Sequence, residues 1–423
     1  MLGEGIHTFN RCGFDLSWRK LNMKIETMRK IDYGVGIPLS FILTYLKFLL
    51  PSRKLSAPKP KNVLFIELSE MGSAILADPA MQRTINKHGA EIFFVIFKRN
   101  KASLDFLKSV PEKNIYTIED TSLMNILKGS LGLVFWCKKN NVDVSIDLEL
   151  FSRATALLSF ATRAPIKVGF HNYHGEGLYR GDFLDRKVSY NAHIHIAKNF
   201  IALVDSAFVT EVQVPYLKQT IADDEIRIRK MPPTENALNN VQNVIKRLYP
   251  DYKTGQKILL VNPNASEFLP QRKWPLQNYT ELIKIVLEKH PEHLILMTGA
   301  PAESAEIQTI EDAVMNKRCI NFAGQVKFSE LTALYSMSQV LITNDSGPGH
   351  FSSVTDIKCF VFFGPETPLL YGSLGNSTPL YAHYACSPCV SAYNHRKTPC
   401  SDNQCLKVLK PAWVYEQLKA SLT

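Results

Sequence analysis

From residue 62 onward the chain alternates short apolar runs with stretches of helical spacing, and it does so in two separate series. The first series contains NVLFIEL (62–68), EIFFVIF (91–97), NIYTI (114–118) and VDVSIDL (142–148). Each run is continuously apolar or β-branched and bounded by polar residues, the pattern of a strand buried on both faces. Segments 73–88, 102–108 and 122–139 between them carry the three-to-four spacing of amphipathic helices. A helical segment at 234–248 precedes the second series. Its strands are KILLVN (257–262), HLILMTG (293–299), CINFAG (319–324), VLITND (340–345) and CFVFFG (359–364), with helices at 277–289, 302–315, 329–337 and 349–354. Strand, helix, strand in this rhythm predicts parallel sheets. Two such series in 423 residues predict an α/β protein of two Rossmann-like domains facing across a cleft. The expected division is an extension at 1–61, a first domain at 62–248, a second at 249–410 and a terminal helix at 411–423.

Ligands of open α/β sheets bind beyond the carboxyl ends of the strands, and here those ends are rich in turns. They read NPNAS (262–266), TGAPAES (298–304), NDSGPGH (344–350) and FGPETP (363–368). In NDSGPGH, Gly347 and Gly349 allow close backbone approach, and the helix that follows aims its first N–H groups and the positive end of its dipole at one point. That arrangement suits a pyrophosphate, and Arg272 and Lys273 are candidate cations for the charge such a group would carry. The first domain has its own turn, FIELSEMGSAILADPA (65–80), offering Glu67, Ser69, Glu70, Ser73 and Asp78.

The net charge of +10 is unevenly spread. Residues 1–61 hold eleven Lys/Arg against four acids, leaving only +3 on the rest, which argues against a nucleic-acid surface on the folded body. The extension also contains VGIPLSFILTYLKFLL (35–50), too short to span a bilayer and flanked by Arg29, Lys30, Arg53 and Lys54. It reads as an interfacial helix on an anionic membrane surface, or as a helix packed on the body. SAPKPK (56–61) reads as a linker. No early apolar segment with a small-residue cleavage site is present, so the eight cysteines are expected to stay reduced. Cys12, Cys137, Cys319 and Cys359 read as single buried thiols. Cys386, Cys389, Cys400 and Cys405 form C-x2-C-x10-C-x4-C, a spacing that admits a structural zinc but fits a zinc ribbon poorly. No cofactor is expected.

Four blocks in register resemble glycosyltransferase family 9, the heptosyltransferases of lipopolysaccharide synthesis. They are LSEMGSAILADPA, NPNASEFLPQRKWP, TGAPAE and NDSGPGHFSSVTDIKCFVFFGPETP, and the likeness runs over roughly 62–420 to a tail ending QCLKVLKPAWVYEQL. The resemblance implies a GT-B fold, an acceptor domain followed by a donor domain, and inverting, metal-independent transfer from a nucleotide-diphospho-sugar such as ADP-heptose. It implies a lipid-linked or lipopolysaccharide-type glycan as acceptor, and a peripheral place on the cytoplasmic face of the bacterial inner membrane. By motif position, Arg272 falls where the family has a cation on the donor phosphates and Glu303 where a carboxylate binds ribose hydroxyls. Asn264, Asp345, Ser346, Gly347 and His350 fall in the donor-binding loops.

The first-domain turn departs from the pattern. Family members resemble S-x-x-G-D, with the aspartate as presumed general base, whereas here the position is Ser73, whose hydroxyl is not a base at neutral pH. Three readings stay open. Glu70 or Asp78 takes the role; Ser73 binds the acceptor while the base comes from GFHNYHGEGLYRGD (His171, His174, Glu176, Asp182); or transfer is lost and the chain only binds a nucleotide-sugar. A nucleotide-sugar epimerase is a further alternative. Segment 163–200, rich in His, Gly, Arg and aromatics, reads as a connection carrying sugar contacts.

Overall fold

The structure, a computed structural model, describes residues 25–49, 55, 59–173, 179–265 and 269–423. The first sheet contains β1 (Asn62–Ile66), β2 (Glu91–Phe97), β3 (Ile115–Ile118), β4 (Val144–Asp147), β5 (Ile166–His171) and β6 (Arg186–Ser189), in the order β3-β2-β1-β4-β5-β6. The second contains β7 (Ile258–Asn262), β8 (Leu294–Met297), β9 (Cys319–Asn321), β10 (Val340–Asn344), β11 (Lys358–Phe363) and β12 (Ser377–Tyr381), in the order β12-β11-β10-β7-β8-β9. The two plans are the same, and every neighbouring pair is parallel.

All nine expected strands form, with ends shifted by at most three residues. Three more appear. Segment 163–200, expected as a connection, holds β5, β6 and the start of the helix Ile196–Ala207. Gly169 interrupts the apolar run of β5, while β6 is a four-residue edge strand and β12 an edge strand carrying Pro379, so none shows a strong strand pattern. The expected helix at 73–88 is two helices, Met71–Leu76 and Asp78–Asn86, because Pro79 cannot donate to the ladder and a new helix starts there.

Strand alternation explains the layers. Val63 and Phe65 of β1 pack with Phe94, Ile75 and Met81 on one face, while Leu64 and Ile66 pack with Val95, Leu133, Cys137 and Leu158 on the other. The helix Glu235–Leu248 packs on Leu331–Ser336, and Pro411–Leu418 packs on Leu276–Lys289, so both sit with the second sheet.

An apolar seam joins the halves. Phe106 of the first domain meets Phe328 and Phe351 edge-on, with ring centroids 5.4 and 5.9 Å away. Polar links flank it: Met231 N donates to Val354 O at 2.8 Å, and His195 Nε2 lies 2.8 Å from Gly372 O. The strand ends of the two sheets therefore face one another across a narrow cleft. At the N-terminus, α1 (Ile25–Gly34) and α2 (Gly36–Leu46) pack on the helix Arg153–Ala161. Asp32 is ion-paired with Arg153 at 3.0 Å, and Lys47 donates to Asp182 O.

Candidate active site

Trp274 anchors the second-domain wall of the cleft. Its ring is fully buried, stacked on Phe362 with centroids 4.4 Å apart, and its Nε1 donates to Leu409 O at 2.9 Å. Its backbone N–H donates to Asn344 Oδ1 at 2.9 Å, and Asn344 Nδ2 in turn donates to Pro263 O at 2.8 Å. These bonds tie the loops after β7 and β10 together and hold Arg272, two residues before the tryptophan, inside the protein. Arg272 Nη2 lies 3.0 Å from Glu366 Oε2, and its Nε lies 3.5 Å from Asp345 Oδ2. Glu366 is also buried and accepts from Arg396 Nε at 2.8 Å.

Arg396 then crosses the cleft and donates to Glu70 of the first-domain turn. The result is a ladder of alternating charge, Glu70, Arg396, Glu366, Arg272, Asp345. The approach is tight next to it as well: a Cβ placed on Gly72 would lie 2.9 Å from His350 Cδ2, so only glycine fits there without displacement. FIELSEMGSAILADPA and NDSGPGH thus form opposite walls of one site.

The turn candidates separate cleanly. Glu67 is buried and its Oε1 accepts from Glu70 N at 3.3 Å. Ser69 donates to Glu149 Oε1 at 2.7 Å, and Glu149 also accepts the Ser69 N–H at 3.1 Å, which fixes the turn. Ser73 Oγ donates to Glu70 Oε2 at 3.4 Å. Asp78 is not brought to this group. It is buried in the first domain, where Oδ1 accepts from Ser109 Oγ and from Gln82 Nε2, and it does not cap its helix.

The electrostatics match the geometry. Burial pushes the Glu70 carboxyl up, but the Arg396 and Arg272 guanidiniums outweigh it and hold the group below the ordinary glutamate range. Glu70 is therefore ionised at neutral pH. Burial raises Glu67 well above its ordinary value, with Glu149 and Glu70 adding to the shift. On the second-domain wall burial lifts Asp345 to about 6 against the pull of Arg272. Burial and then His195 lower His350 to about 4, leaving a neutral imidazole.

Among the described residues, Arg272 Nε and Nη2 and Asp345 Oδ2 are held only by the ion pairs above, whereas His350 Nδ1 and both side-chain polar atoms of Asn264 are buried with no hydrogen-bond partner. Orphaned groups of this kind are rare in folded proteins. Gathered at strand ends, they supply donors and acceptors for a polar ligand. Glu303 Oε2 accepts from Ala300 N at 2.6 Å and closes the turn beside Gly299, near Asn264. Lys273 turns away and pairs with Glu306 at 2.7 Å. Gly347 opens a helix of only five residues, Gly347–Phe351, with Ser346 as its N-cap. So short a helix still offers free N–H groups but only a small dipole.

His171 ends β5, and Asp182 is paired with Lys187. His174 and Glu176 lie outside the described residues, as do Ser266, Cys12 and part of the expected linker. Burial, and then Cys389, Cys400 and Cys386, push the Cys405 thiol up to about 11. Among the described residues, His290, Glu292 and His293 bring three possible ligand atoms within 4.8 Å of one another. Sequence reasoning missed Arg396, Glu366 and Glu149. Glu366 lies in FGPETP, a strand-end turn that was visible, but nothing local marks Arg396, which is 326 residues from Glu70.

A family model described as glycosyltransferase family 9 (heptosyltransferase) matches residues 137–398. Lipooligosaccharide heptosyltransferase 2 of Campylobacter jejuni subsp. jejuni serotype O:6 is 30% identical over 172 residues, 40% of this chain and 52% of that protein. The match thus spans about half the length of that relative. Lipopolysaccharide core heptosyltransferase OpsX of Haemophilus influenzae is 22% identical over 331 residues, 77% of this chain and 86% of that one. Among solved structures, E. coli ADP-heptose lps heptosyltransferase II superposes with a TM-score of 0.63 at 17% identity, covering 85% of this chain and 98% of that one. A glycosyl transferase family 9 structure from Veillonella parvula DSM 2008 gives 0.65 at 18%, covering 88% and 99%. The two facing sheets are the GT-B fold expected from the sequence, and the chain belongs to glycosyltransferase family 9.

Proposed function

We propose that this protein is an inverting glycosyltransferase that moves a heptosyl group from ADP-heptose to a lipid-linked, lipopolysaccharide-type glycan. The observation that carries the reading is the buried polar group of the second domain, with His350 Nδ1 and both side-chain polar atoms of Asn264 lacking a hydrogen-bond partner beside the Arg272–Asp345 ion pair, together with an ionised Glu70 on the opposite wall. Arg272 and the free N–H groups around Ser346 and Gly347 bind the pyrophosphate, and Glu303 accepts from ribose hydroxyls. An acceptor hydroxyl gives its proton to Glu70 as its oxygen bonds to the anomeric carbon from the face opposite the leaving group. The bond to the phosphate oxygen breaks, and the nucleotide diphosphate leaves with its charge matched by Arg272. Ser73 donates to Glu70 and orients it, so the carboxylate acts from three residues before the usual aspartate position.

Calorimetry of the purified protein against ADP-, GDP-, UDP- and CMP-sugars tests the donor assignment, with an ADP-sugar expected to bind best. No heat with any of them would end it. Transfer is then read with the preferred donor and a lipid-linked glycan. Binding without transfer or hydrolysis, together with turnover gained by Ser73→Asp, would favour a binding protein.

Donor affinity is expected to depend on pH. Asp345 keeps its proton up to about 6, and an incoming pyrophosphate raises that value further. The complex then holds more protons than the free protein, so affinity falls as pH rises through about 6 and the range above it, by up to about tenfold per unit of further shift. Asp345→Asn is expected to flatten the profile, measured by calorimetry with an ADP-sugar at a series of pH values.

The same reading places the protein peripherally on the cytoplasmic face of the bacterial inner membrane. It is supported by the basic extension and by the apolar residues that α2 exposes, Phe41, Ile42 and Tyr45 among them. No helix among the described residues is long and apolar enough to cross a membrane.

A further inference from the structure

The helix Leu123–Lys139 wastes an apolar face. Its inner side buries Leu133 and Cys137 against the first sheet, while Leu123, Leu127, Leu131 and Phe135 point outward at intervals of four residues. That spacing is a single stripe along the helix, and Leu127 and Phe135 are 60% and 73% exposed. Met124, 62% exposed, widens it. Scattered exposed apolar residues are ordinary, but a continuous row marks an interaction surface.

Charge indicates what covers the row. The helix contains no acidic residue, and its three lysines, Lys128, Lys138 and Lys139, are all exposed. An apolar stripe on a helix whose only charged residues are cations is the composition of a helix lying in the headgroup region of an anionic bilayer. Position agrees. The helix packs on the face of the first sheet that receives Leu64 and Ile66, and the helix Arg153–Ala161 sends Leu158 into the same layer. On Arg153–Ala161 lies α2, which has no charged residue and exposes Leu39, Phe41, Ile42, Tyr45 and Leu46. Two outward apolar surfaces therefore occur on one side of the first domain.

We infer that the stripe of Leu123, Leu127, Leu131 and Phe135 is a second membrane-docking element, acting with α2 to seat the first domain on an anionic lipid bilayer. This rests on the peripheral-membrane reading and adds a defined orientation to it. One anchor would let the domain pivot, whereas two fix which side faces the lipid and so how a lipid-linked acceptor enters the cleft.

The test is co-sedimentation of the full chain with phosphatidylcholine vesicles containing about 30 mol % phosphatidylglycerol. A variant carrying Leu127→Gln, Leu131→Gln and Phe135→Gln is expected to partition at least about tenfold more weakly, with unchanged Tm and unchanged ADP-sugar binding. A second variant, Phe41→Gln with Tyr45→Gln, is expected to lose a similar factor. If the α2 variant loses partitioning and the stripe variant does not, the inference falls while the membrane reading stands. Failure of the wild-type chain to bind the vesicles sinks the membrane reading itself. A lower Tm in the stripe variant would show the row covered by this chain's own N-terminal segment, and a change from dimer to monomer would show it covered by a second copy; either overturns the inference.

Discussion

Glu70→Gln is expected to lower kcat for sugar transfer by about 10²- to 10⁴-fold, the usual contribution of a positioned general base, while leaving donor affinity within about twofold. The substitution is close to isosteric. Its amide oxygen can still accept from Arg396, and its amide NH2 can donate to the Ser73 hydroxyl, which then accepts instead of donating, so the turn keeps its shape while the proton acceptor is lost. The loss should therefore appear in kcat and not in KM for the donor. Two companions sharpen the test. Asp78→Asn is expected to change transfer by no more than a few-fold, since Asp78 is buried against Ser109 and Gln82. Ser73→Ala removes one hydrogen bond to the base and is expected to cost about tenfold or less. Because Arg396 and Arg272 keep Glu70 ionised below the ordinary carboxylate range, the acid limb of the wild-type kcat profile should also lie below that range. Transfer by Glu70→Gln within tenfold of wild type would move the base elsewhere, with Glu149, which accepts from Ser69 of the same turn, the next candidate.

The limits of the sequence are visible in this same group. Glu70 and Ser73 could be singled out because a carboxylate and a hydroxyl flanking a glycine at a strand end are local features. What distinguishes Glu70 from Asp78 is not local: Ser109 captures one and Arg396 the other. Arg396 follows the cysteine-bearing segment, and only the closure of one domain on the other brings it to Glu70. The strands behaved likewise. Runs buried on both faces, such as β2 and β11, announce themselves by continuous apolarity, whereas the edge strands β6 and β12 need little of it and pass for loops. The exposed row on Leu123–Lys139 read as an ordinary amphipathic helix, since a pattern of spacing does not say which apolar positions a sheet will cover.

Arg272 is the second residue whose replacement should have a large effect, and here two measurements are needed because two roles are superimposed. Removing one member of a buried ion pair typically costs about 3–5 kcal/mol. In Arg272→Met two carboxylates lose their cation, but Glu366 keeps Arg396 at 2.8 Å, so the strain falls mainly on Asp345. Asp345 already holds its proton up to about 6 and would respond by holding it further. Protonation caps the penalty, and a stability loss toward the lower end, about 3 kcal/mol, is expected in urea unfolding. The donor effect is separate. Hydrogen bonds between charged groups are worth about 1.5–3 kcal/mol, so loss of the guanidinium should weaken ADP-sugar binding by about 10- to 100-fold. Arg272→Lys discriminates the roles: a lysine restores charge between Asp345 and Glu366 and recovers much of the stability, but it lacks the planar fork that can meet two carboxylates and a phosphate together. It should therefore bind the donor more weakly than wild type while unfolding at nearly the wild-type urea concentration. If Arg272→Met loses stability yet binds the ADP-sugar as wild type does, the buried arginine is only a strut between two loops, and the pyrophosphate must be held by backbone N–H groups instead.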